Sequence, residues 1–90
     1  MRLAATELDL IEALAALGVP LVAAVEVDRY RRLFPDTPLP GECIDLGAAW
    51  EPNLELLQVV APDFVLLSSG RALLAPLLER VAGTMLVEPP

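Results

Sequence analysis

Residues 47–70 read GAAWEPNLELLQVVAPDFVLLSSG. A loop carrying Trp50 leads to Pro52, which suits the first helical position because its missing N–H leaves nothing unpaired there. Leu54, Leu57 and Val60 or Ala61 recur at helical spacing over Asn53–Ala61, giving that segment one apolar face. Pro62 and Asp63 stop the helix, Phe64–Leu67 is an apolar run of strand length, and Ser68-Ser69-Gly70 is a turn of small residues. A helix followed by a strand apolar on both sides is the repeating unit of a parallel sheet buried under helices. In such sheets ligands gather beyond the carboxyl ends of the strands. The loops Ala48–Glu51 and Ser68–Arg71 are both expected at that rim.

The flanking sequence extends the pattern. Arg2–Ala5 reads as a short strand. Thr6, with Asp9 three residues on, predicts a capped helix start, and Leu10, Ile11, Ala13, Leu14 and Leu17 predict its apolar face. Gly18 and Pro20 end that helix. Leu21–Val27 is an aliphatic strand, and Asp28 is expected to cap a short helical turn, Arg29–Phe34, which Pro35 closes. Pro35–Glu42, with three prolines and a glycine, predicts a stiff surface loop. Cys43–Leu46 reads as a strand that Gly47 breaks. Beyond residue 70, Pro76 places a helix start within Arg71–Val81, Gly83 is expected to terminate it, and Thr84–Val87 reads as the last strand. The order β-α-β-(α)-β-α-β-α-β predicts one α/β domain over residues 1–90, a parallel, helix-covered, Rossmann-like sheet.

Composition narrows the function classes. Thirteen acids against six bases give a net charge of −7, which disfavours a nucleic-acid partner. With no histidine and the single cysteine Cys43, a metal centre built from this chain is not expected, nor is an internal disulfide. Cys43 reads as a small buried hydrophobe. Glu51 and Glu55 stand four apart, but no nucleophile, base and oxyanion set accompanies them, so no catalytic residues and no enzyme are expected. The GxGxxG dinucleotide signature is absent, and no cofactor is expected. No apolar run has the roughly 20 residues of a membrane span. The N-terminus lacks the charged and apolar regions of a secretory leader.

Glu12-Ala13-Leu14, Leu17-Gly18-Val19-Pro20, Tyr30-Arg31, Pro38-Leu39-Pro40, Ile44-Asp45-Leu46-Gly47, Glu51-Pro52-Asn53-Leu54-Glu55-Leu56-Leu57 and Pro62-Asp63-Phe64-Val65 together carry a resemblance. The chain resembles the N-terminal lobe of the periplasmic substrate-binding proteins of iron–siderophore uptake, most of all the ferric-hydroxamate (ferrichrome-binding) branch. The likeness runs from about Arg2 to Val87, and EPNLELL…PDFVLLS is its most specific part. It implies two α/β lobes joined by a long helix, a ferric siderophore clamped between them, and docking on an ABC-transporter permease. It also implies a periplasmic location. The second lobe and the joining helix are not in this sequence, which therefore reads as a partial chain, its partner being the missing lobe or a second copy. Pocket positions depart from the pattern. Ala49 stands where hydroxamate-binding members have arginine, and Arg71 where they have tyrosine. Leu8, Leu33 and Leu67 stand where tryptophans are common. The permease-contacting glutamate falls near Pro76, with Glu79 one turn away.

Each candidate site residue admits two readings. Trp50 is either a platform for a siderophore scaffold or a plug between strands and helices. Arg71 either meets anionic oxygens of a ferric chelate or pairs with Glu79. Ser68 and Ser69 either donate to a ligand or fill a tight turn. Glu7 either faces the pocket or serves the first helix's dipole. Tyr30 either lines the cleft from the side or covers the Arg29–Phe34 turn. Asp45 reads as part of a turn, and Asp28, Arg29, Arg31 and Arg32 as a solvated mixed-charge surface.

Overall fold

The computed structural model describes residues 1–68 and 73–87. Its elements are β1 (Leu3–Ala5), α1 (Leu8–Ala16), β2 (Leu21–Ala24), α2 (Val27–Leu33), β3 (Ile44–Asp45), α3 (Leu54–Val60), β4 (Phe64–Leu67), α4 (Ala75–Leu78) and β5 (Gly83–Leu86). The strands form one five-stranded sheet in the order β3-β2-β1-β4-β5, and every pairing is parallel. The chain moves outward from β1 to β3, then returns to add β4 and β5 on the other side of β1. With right-handed crossovers, that reversal sends the helices to opposite faces and opens a crevice between β1 and β4.

Small residues occupy the middle of the sheet. Ala4, Ala5, Ala23 and Ala24 are fully buried, so helices approach the central strands closely. Ile11, Leu21, Leu46, Leu57, Leu67 and Leu78 fill the space above them. Each such side chain contributes about 1.5–3 kcal/mol relative to an exposed one.

Element boundaries follow local chemistry that the sequence pattern had only partly indicated. The capping box at Thr6 is not formed: Thr6 is fully buried and its hydroxyl donates across the sheet to the Leu66 carbonyl at 3.3 Å, while Glu7 is the N-cap and its side chain caps nothing. α1 ends in paired bonds from Gly18 N–H to Ala15 O (3.0 Å) and Val19 N–H to Leu14 O (2.9 Å), with Gly18 at φ 77°. This is the Schellman arrangement, and it leaves Leu17, expected on the buried face, 78% exposed as the C-cap. β2 stops three residues earlier than the aliphatic run does. Glu26 turns the chain in the left-handed region (φ 47°) and is the N-cap of α2, so Val27 and Asp28 are helical and Asp28 is not the cap. Gly83 belongs to β5 instead of ending α4. A Cβ there would lie 3.0 Å from the Asp63 carbonyl and 3.1 Å from the Phe64 ring, a gap only glycine leaves open.

Candidate ligand-binding site

The carboxyl ends of β1, β2, β3 and β4 share one rim, and hydrogen bonds between their loops hold it together. Glu26 N–H donates to the Gly47 carbonyl at 2.8 Å and Leu46 N–H to the Ala24 carbonyl at 2.8 Å, tying the loops after β2 and β3. Asn53 N–H returns to the Leu46 carbonyl at 2.8 Å, which closes the Trp50 loop. Within that loop Asp45 accepts from Gly47 N–H at 2.8 Å, so it serves the turn.

Across the β1–β4 crevice lies the shortest side-chain contact of the rim. Glu7 accepts from Ser68 N–H at 2.6 Å and from the Ser68 hydroxyl at 2.7 Å. Both carboxylate oxygens are thereby used, one on each donor. The anionic acceptor strengthens both bonds. Glu7 and Ser68, read separately from the sequence, are thus brought together and form a floor between the two strands.

An open cleft of about 300 Å³ is lined by Glu7, Leu8, Asp9, Glu26, Arg29, Ala49 and Trp50. Trp50 is 70% exposed and walls this cleft on one side. Its other side borders a second open cleft of about 430 Å³, between the start of α3 and Leu77. An indole so exposed is not a core plug, which removes one of its two readings. Ala49 beside it is buried.

Tyr30 is not at the cleft surface. It is fully buried, its hydroxyl donates toward the Thr37 carbonyl (2.6 Å) and lies 2.9 Å from the Thr37 hydroxyl, and its ring stacks at 5.0 Å on Phe34. It secures the proline-rich loop to α2, the covering reading. Ser69 and Arg71 lie outside the described residues, as does any pairing of Arg71 with Glu79. Glu79 is exposed at the C-cap of α4 and accepts from the Thr84 hydroxyl at 2.9 Å.

The residue that sequence reasoning missed is Arg29. It is the basic member of the cleft lining among the described residues, held by Glu26 at 3.3 Å. Its signal was a Glu-x-x-Arg spacing just past a strand end, which puts both side chains on one helix face at the rim. Among the described residues no cluster of His, Cys, Asp and Glu is arranged to hold a metal ion, and no helix is long and apolar enough to cross a membrane.

No protein-family model matches the chain. Its sequence is 37% identical over 81 residues to the iron(3+)-hydroxamate-binding protein FhuD of Escherichia coli (strain K12), a match that spans 90% of this chain and 27% of that protein. The structure superposes on the siderophore-binding protein FhuD of Vibrio cholerae, solved with Fe3+–Desferal bound, with a TM-score of 0.88 and 30% identity over 98% of this chain and 33% of that one. A TroA-like periplasmic binding protein from Xylanimonas cellulosilytica shares the fold at a TM-score of 0.80 and 18% identity, covering 99% of this chain and 29% of the other. The chain therefore spans about a third or less of the length of these relatives. By sequence and by fold, the chain is similar to the N-terminal lobe of siderophore-binding proteins such as FhuD.

Proposed function

We propose that this chain is the ligand-receiving lobe of a substrate-binding protein that captures an iron(III)–siderophore chelate in the periplasm and presents it to an ABC-transporter permease. One observation carries the reading: an exposed tryptophan and a braced, open cleft share the carboxyl rim of a parallel sheet. The kinship with hydroxamate-binding proteins supplies the ligand class. Capture involves no chemistry on the ligand. Trp50 lays its ring against the apolar scaffold of the chelate, Ala49 leaves room beside it, and Glu7 with Ser68 forms the floor. In this proposal Ser69 and Arg71, which follow β4 in the sequence, add hydrogen-bond donors. A second lobe closes the site from above, and Glu79 contributes to the permease contact.

Trp50 is the only tryptophan, so its emission reports this site alone. Titration with ferric hydroxamates is expected to quench it saturably. Linear quenching no deeper than that of a free tryptophan derivative, across several ferric chelates, would overturn the proposal. A second reading, a lobe that binds no small ligand and pairs with another chain, is favoured by the exposure of Val59 (80%) and Leu73 (96%). A single monomeric species in sedimentation would count against this second reading.

A further inference from the structure

Arg29 sits on the first turns of α2, its side chain 55% exposed, with Nη1 on Glu26 at 3.3 Å. A guanidinium has five N–H donors, so that bond leaves most of the fork facing the cleft and solvent. The lining also carries Glu7, Asp9 and Glu26, so one positive charge against three negative leaves −2 among the described lining residues. Glu7 is occupied by Ser68 and Glu26 by Arg29. Among the described residues of the lining, Arg29 is thus what offsets the acids of the cleft that Trp50 also lines. A planar cation and an exposed ring lining one cleft suit a chelate with an apolar backbone and electron-rich oxygens.

We propose that Arg29 contacts the ligand and sets which chelate charges the cleft admits. The inference rests on the capture reading above. Without Arg29 the lining falls to −3 and Glu26 is released toward the cleft, so a chelate with an anionic arm is rejected while a cationic one is tolerated. The test uses the full chain and two probes with the same iron-binding head: Fe3+–Desferal, whose pendant group is an ammonium, and its N-succinylated derivative, whose pendant group is a carboxylate. Dissociation constants come from Trp50 quenching and, independently of fluorescence, from equilibrium dialysis of the iron. Arg29→Ala is expected to raise the preference for the cationic over the anionic probe about fivefold at 50 mM salt, and much less at 500 mM, where exposed charges are screened. Arg29→Lys is expected to keep most of the wild-type ratio. Because Arg29 is exposed, an unchanged circular dichroism spectrum and midpoint are expected in both variants. Wild-type binding with a ratio unmoved in Arg29→Ala overturns this inference and leaves capture standing. Failure of the wild type to bind either probe overturns both.

Discussion

Among single residues, Glu7 shows why helix-end rules were an incomplete guide. An acid at the start of a helix has a sufficient local use in the dipole, yet here the side chain crosses to Ser68, sixty-one positions later. No sequence spacing announces such a pair, because only the return of the chain to β4 creates it. Glu7→Ala strands a half-buried amide and is expected to lower stability by about 1–3 kcal/mol in urea denaturation, with Glu7→Gln costing less. Tyr30 was open between two readings for the same reason: its partner Thr37 lies in a loop whose path the prolines restrict but do not specify. Tyr30→Phe should cost about 1–2 kcal/mol without altering chelate titrations. Cys43 was legible as a buried hydrophobe. Burial pushes its thiol from the ordinary 9.0 to about 11, opposed by Arg31 and aided by Asp45 and Glu42. The unfolded chain then releases this proton at lower pH than the folded chain. Stability from this group is therefore full below about pH 9 and lost progressively as pH rises toward about 11. The check is the midpoint difference between wild type and Cys43→Ala, which should shrink against the wild type over that window.

At the scale of elements, the apolar runs and the Gly and Pro punctuation located every described helix and strand; β4 has the expected bounds, and each other element differs at one or both ends by a few residues. The reason is that ends are decided by single backbone geometries. The Val25 amide follows β2 into a bond with the Ala5 carbonyl at 3.2 Å, and Glu26 then turns left-handed; the run up to Val27 reads through both residues as strand. Pro52 is not at the first helical position as expected: Asn53 is the N-cap of α3, its side-chain oxygen accepting from Leu56 N–H at 3.0 Å, and Pro52 precedes it. Ala61 ends the same helix at φ 51°, a conformation that costs an L-residue about 1–2 kcal/mol and glycine little. Ala61→Gly is accordingly expected to stabilise the chain by about 1 kcal/mol. Gly83→Ala should do the reverse, by about 1–3 kcal/mol, because the added methyl meets the Asp63 carbonyl. Thermal midpoints of the two variants, moving in opposite directions, check both.

For the molecule as a whole, the parallel α/β architecture followed from alternation of helical and strand-length segments, and the structure has it. What alternation does not contain is the order in which strands lie side by side, and hence which loops meet. That is why the sequence did not place Arg29, an exposed charge, in the lining of the cleft. Met85 and Leu86 lie on β5, an edge strand of the sheet, and are 43 and 53% exposed; an apolar strand edge is a template for pairing with another chain. The isolated lobe is expected to self-associate as concentration rises, and sedimentation velocity across a hundredfold range reads this directly. A single monomeric species throughout would count against the pairing reading while leaving ligand capture untouched. One further property follows from β1, which is the first strand of the chain and the middle strand of the sheet. During synthesis the ribosome releases the keystone before any of its neighbours, so each later arrival at β2 and β4 finds its docking edge already made. The converse holds for damage: loss of β1 would cut the sheet into two unconnected ribbons, whereas loss of β5 would only shorten one margin.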